Sequence, residues 1–192
     1  DNFISAVQPA PLVISGIPAG AGVDRAFIWW TTSGSTPTGN ITVQNPDAGF
    51  NTFNVTNIGS GPDKCWSLGS TFSFRADITS LVSGTLNGTY LISGLPTGAP
   101  DDVDGATLMI IYTDPAATYK GQLIIYDGAM VVSTAGDSTY QTTSGFNICK
   151  VPVLAKGIMI ISDFQSCFPP QYITMNGIES LTIGHFWNYE EQ

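Results

Sequence analysis

The sequence predicts an all-β protein, a single β-sandwich of jelly-roll or immunoglobulin-like type with about ten to twelve short antiparallel strands. Three observations predict it. Turn-forming clusters such as Ser33 to Gly39, Asn45 to Gly49, Gly59 to Asp63 and Gly94 to Gly98 break the chain into short β-branched and aromatic runs. No stretch long enough for a helix carries the 3.6-residue apolar period of an amphipathic one. Only 11% of the 192 residues are charged, against about 25% in an ordinary domain. With 4 Lys and 3 Glu, there is little material for solvent-facing helices.

Residues 1–20 stand apart from the rest. Phe3, Ile4, Ala6 and Val7 form one apolar strip, Pro9 and Pro11 interrupt it, and Leu12 to Ile14 makes a second. Gly16, Pro18, Gly20 and Gly22 follow, residues that break strand pairing. A strip of this kind is either the first strand of its own sheet or a donor strand that completes the open edge of a neighbouring subunit. Phe3, Ile4, Val7, Leu12 and Ile14 are its candidate interface residues. Residues 21–192 then form the sandwich, since neither a Pro/Gly/Ser-rich linker nor an internal repeat divides them.

Within the sandwich, Val23 to Thr31 and Ala106 to Thr113 are the expected central strands. The first places Phe27 and Trp29 on one face and Ile28 and Trp30 on the other, and the second alternates Leu108 and Ile110 with Met109 and Ile111. Apolar residues on both faces suit a covered strand rather than an exposed edge. Asp77 to Val82 reads as a single helical turn capped by Asp77. Three dipeptides, Asn87-Gly88, Asp127-Gly128 and Asn176-Gly177, read as tight turns because Asn, Asp and Gly accept positive φ. They predict hairpins of 84–86 with 89–92, of 123–126 with 129–132, and of 172–175 with 178–183; the second is alternatively a bulge within one strand.

Composition excludes several functions. The net charge of −9 leaves no basic footprint for nucleic acid, and anionic membrane surfaces repel such a chain. The longest apolar runs fall far short of the ~20 residues of a membrane span. The chain opens on Asp1 with neither a basic nor an apolar leader after it, which predicts a mature exported chain at the cell surface.

Candidate sites follow from the remaining polar residues. Cys149 and Cys167 are spaced for a disulfide, with Cys65 left over; the alternative is three reduced, buried thiols. Asn40, Asn54 and Asn87 begin sequons for N-glycosylation. Asp101, Asp102 and Asp104 concentrate charge just ahead of a buried strand, either as oxygen ligands for Ca²⁺ or as a solvated acidic turn. His185 is the only histidine, which removes multi-histidine metal sites. No nucleophile elbow, P-loop or dinucleotide fingerprint occurs. The expectation is therefore a protein that is not an enzyme.

The succession Arg25-Ala-Phe-Ile-Trp-Trp30, Phe74-Arg-Ala-Asp-Ile-Thr-Ser-Leu-Val82, Asn87-Gly-Thr-Tyr-Leu-Ile92, Gly105-Ala-Thr-Leu-Met-Ile-Ile-Tyr112 and Leu123-Ile-Ile-Tyr-Asp-Gly128 resembles an uncharacterised β-domain of large bacterial and archaeal surface proteins. The resemblance spans residues 25–130 and implies an exported, surface-associated β-protein with no catalytic residues to transfer. Two functions compete. One is a structural subunit of a pilus-like fibre, assembled from copies of itself by strand donation, with Phe186 and Trp187 adding to the interface. The other is a calcium-dependent adhesin or jelly-roll module that binds surface glycans on exposed aromatics.

Overall fold

The structure is a computed structural model that describes residues 7–34, 39–63, 67–98, 100–118, 121–131, 140–145, 158, 171–175 and 178–183. Its strands are β1 (Ala10–Ile14), β2 (Gly22–Gly34), β3 (Ile41–Gln44), β4 (Phe50–Phe53), β5 (Thr56–Pro62), β6 (Ser70–Asp77), β7 (Gly88–Ser93), β8 (Thr97–Gly98), β9 (Asp101–Thr113), β10 (Gln171–Met175) and β11 (Ile178–Ile183). All described pairings are antiparallel. One sheet runs β1-β7-β3-β4, a second runs β5-β6-β2-β9-β8, and β10 pairs with β11. The first two sheets pack face to face, so the predicted single β-sandwich is the observed architecture.

The thirteen-residue β2 is the keel of the larger sheet, paired to β6 on one side and β9 on the other. Its alternation sends Ala26, Ile28 and Trp30 inward, all nearly or fully buried, and leaves Phe27 and Trp29 on the outer face, as period-two geometry requires. Trp30 stacks on Phe74 of β6 at 5.5 Å between ring centroids. Ile41 and Val43 of β3 and Tyr90 and Ile92 of β7 close the core from the opposite sheet. Two buried polar atoms on the inward face of β2, Trp30 Nε1 and Thr32 Oγ1, have no hydrogen-bond partner among the described residues.

The expected turn at Asp77 is present as a single 3-10 turn over Thr79–Leu81. The Asp77 carboxylate accepts the Thr79 N–H at 2.9 Å, and Ile78, Leu81 and Val82 drop into the core. The expected pairing of 172–175 with 178–183 is also present, with Met175 opposite Ile178; Asn176-Gly177 itself lies outside the described residues.

Two expectations are corrected. Residues 84–86 are not a strand, and β7 pairs with β1 and β3 rather than with its upstream neighbour; Asn87 has a long-range partner that outcompetes the local turn. Residues 121–131 form no strand, so Asp127-Gly128 is neither a hairpin turn nor a bulge. Asp127 instead reaches Arg75 and Trp29 on the outer face of the larger sheet. β8 meets β9 at Asp101 and Asp102, and among the described residues the partner of Val103 to Thr113 is β2.

Candidate functional site

The feature with functional content is the way β1 is held. Proline has no N–H to give to a ladder, so Pro9 and Pro11 confine the segment to a sheet edge. There it pairs with β7 in a register that sets Ala10 opposite Ile92, Leu12 opposite Tyr90 and Ile14 opposite Gly88. Ala10 is buried, and Leu12 and Ile14 pack on the core, while Val13 on the other face is 72% exposed. Of the other predicted interface residues, Val7 is exposed ahead of the strand; Phe3, Ile4, Phe186 and Trp187 lie outside the described residues.

Beyond each end of β1 a side-chain amide takes over from the backbone. The Gln8 Nε2–H donates to the Leu95 carbonyl at 2.9 Å, and the Leu95 N–H donates to Gln8 Oε1 at 3.1 Å. At the other end the Ile17 N–H donates to Asn87 Oδ1 at 2.9 Å, and the Asn87 Nδ2–H donates to the Ile17 carbonyl at 2.8 Å. Each primary amide imitates the N–H and C=O of a single strand residue, presenting a donor and an acceptor on one edge. The β1–β7 ladder is thus extended at both ends by brackets of two hydrogen bonds each.

Backbone geometry puts both partners in place. Gly88 and Gly94 flank the body of β7 with φ of +138° and +90°. A Cβ on Gly88 would press on Pro46 at 2.9 Å, and one on Gly94 would meet the Asn40 carbonyl at 2.9 Å. Only glycine fits there, and it turns the chain so that Asn87 and Leu95 face the connector and Gln8. The loop before Asn87 is tied down by Asp47, which accepts the Thr85 N–H at 2.8 Å. Those hydrogen bonds from Thr85 hold the Asp47 carboxyl below its ordinary value. Burial, and then the Asp47 charge, push the Tyr90 phenol up.

The sequons differ in what their asparagines do. Asn40 and Asn54 are exposed beside strand ends. In a glycosylated asparagine the trans secondary amide places the sugar on the side of Oδ1, replacing the hydrogen that Asn87 gives to Ile17. A glycan on Asn87 and the Ile17 bracket are mutually exclusive.

The acidic cluster does not sit in a loop, as the sequence suggested, because Asp101, Asp102 and Asp104 belong to β9 itself. Asp101 and Asp102 are consecutive strand residues and project to opposite faces. The Asp102 carboxylate accepts the Val103 N–H at 2.9 Å. Among the described residues no three His, Cys, Asp or Glu side chains are grouped to hold a metal ion. Cys65, Cys149, Cys167 and His185 lie outside the described residues.

The aromatics of the outer face are engaged with one another. Phe27 and Trp29 lie 5.4 Å apart and tilted, and the Arg75 guanidinium sits 5.4 Å above the Phe27 ring. Asp127 Oδ2 accepts from Arg75 at 2.7 Å and from Trp29 Nε1 at 3.1 Å. With side chains 35% and 24% exposed, the Arg75–Asp127 pair fastens the 121–131 segment over the sheet and adds at most about 1 kcal/mol.

The sequence signalled β1 but not its brackets. Gln8 and Asn87 find partners 87 and 70 positions away, and Asn87-Gly88 carries the same letters as a hairpin turn. No family model, no curated protein and no solved structure matches the chain. The functional reading therefore rests on this geometry.

Proposed function

We propose that the protein is a non-catalytic extracellular structural subunit that forms a cell-surface filament by donating its N-terminal strand to the next copy. The observation that carries this reading is β1: a five-residue strand at the sheet edge, with β7 its one neighbour among the described residues, joined to the sandwich by a connector in which Gly16 and Gly20 take left-handed φ of +82° and +83°. On the edge it occupies, Ala10 is buried, Leu12 and Ile14 pack on the core, and β7 pairs with it residue by residue, which is the pattern strand addition uses. A chain with only 11% charged residues also leaves few ions to desolvate when copies pack.

Electron microscopy of the purified full chain tests the proposal, together with deletion of residues 1–15. Filaments from the full chain, lost on deletion with a fall in melting temperature, are the expected result. A full chain that stays monomeric at every concentration, and a deletion that leaves it equally stable, would sink it. Retained glycan binding by that monomer would move the assignment to an adhesin.

A further inference from the structure

We infer that Gln8 and Asn87 set the register of strand exchange, and that they make a second copy of this chain the partner of the β7 edge; the inference rests on the strand-donation reading. Backbone pairing alone fixes register weakly here. A segment with apolar residues at alternate positions can slide by two residues along β7 and still present the same face to the core. The inward set of β1, Ala10, Leu12 and Ile14, is short enough to tolerate such a slip.

The brackets remove that freedom. A two-residue slip displaces both Gln8 and Ile17 by about 6.6 Å along the ladder, too far for either pair of hydrogen bonds. The two ends act together, because Gln8 travels with the incoming segment while Asn87 belongs to the accepting edge. An occupant must therefore carry an amide side chain before its strand and an open backbone N–H and C=O beyond it, at the spacing of Gln8 and Ile17. This chain's own N-terminal segment meets that requirement, as its closed form shows. Exchange between copies reproduces every one of these contacts, and only the connector has to change course.

Two isosteric variants of the full chain test the inference, Gln8→Glu and Asn87→Asp. Each turns an N–H₂ donor into a carboxylate oxygen facing the carbonyl of Leu95 or Ile17. Hydrogen exchange read by mass spectrometry should quicken about tenfold over 10–17 and 88–95, the loss of one such bond. Segments of β2 and β6 should keep their protection. In the assembly arm, wild type should give filaments of uniform axial repeat, and both variants should assemble more slowly or with irregular repeats. Unchanged exchange in both variants would overturn the clasp. Faster exchange with filaments identical in rate and repeat would overturn the partner assignment while leaving strand donation standing. Faster exchange from a wild type that never polymerises would overturn strand donation, and the assignment of a second copy with it.

Discussion

β1 and β2 follow one another in sequence and carry opposite loads. β2 runs for thirteen residues between two partners, with Ala26 and Ile28 at zero exposure and Trp30 at 2%. β1 runs for five residues beside one partner among the described residues, with Val13 facing outward, and its ladder with β7 is extended at both ends by side-chain amides. The contrast teaches that one sandwich can hold strands by different means: β2 is fixed by burial between two neighbours, while the edge position, two prolines and glycine connector of β1 are what the proposed strand donation would draw on.

The sharpest way to break this comparison is to remove equal bulk from each strand. Ile28→Ala should cost about 2–5 kcal/mol of global stability, as large-to-small changes in packed cores do. Leu12→Ala, on a partly buried edge, should cost about 1–2 kcal/mol. Its effect should also be local, quickening hydrogen exchange over 10–17 while leaving β2 protected. Urea midpoints and exchange maps of the two variants give both numbers. If Leu12→Ala lowers the midpoint as far as Ile28→Ala, β1 belongs to the cooperative core and is not separable.

A smaller effect of opposite sign sharpens the β2 side. Thr32 Oγ1 is buried without a partner among the described residues, and an unsatisfied hydroxyl in that position costs about 1–3 kcal/mol. Thr32→Val keeps the branched shape and removes the polar atom, so it should raise the urea midpoint by about 1 kcal/mol of stability. A fall instead would mean that the hydroxyl is satisfied in solution.

Where the fold was legible, the signal lay in side-chain alternation and in local chemistry. Ile28 and Trp30 against Phe27 and Trp29 placed β2, Asp77 placed its own turn, and Asn176-Gly177 placed the pairing of β10 with β11. Pro9 and Pro11 read as an interruption between two apolar strips, yet Pro11 lies within β1, because an edge strand tolerates a missing N–H. What failed to show was pairing decided at long range. Asn87 and Asp127 carry turn chemistry in the sequence, yet each does its work on a residue dozens of positions away, Ile17 in one case and Arg75 in the other. A side-chain amide or carboxylate has no period, so its partner emerges only when the sheets have formed. The acidic run at Asp101 misled for a related reason, because charge density suggests a loop while the ladder with β2 and β8 makes it a strand.

The smallest effect concerns the support beneath the clasp. Asp47 and Thr85 join the β3–β4 turn to the loop that presents Asn87, so the carboxylate steadies the bracket on Ile17 without touching it. Its pKa is lowered from 3.8 by the hydrogen bonds from Thr85. A depressed carboxyl contributes stability that is present above its unfolded pKa and lost as pH falls through the lower folded value. At neutral pH, Asp47→Asn should therefore exchange slightly faster than wild type over 85–88, since a neutral amide oxygen is the weaker acceptor. As pH falls below 3.8, wild type protonates and the gap should close. Exchange rates corrected for intrinsic pH dependence, measured on both chains across that range, decide it. A gap that persists after Asp47 is protonated would assign the effect to the shape of the asparagine, and the charge would then play no part in holding the clasp.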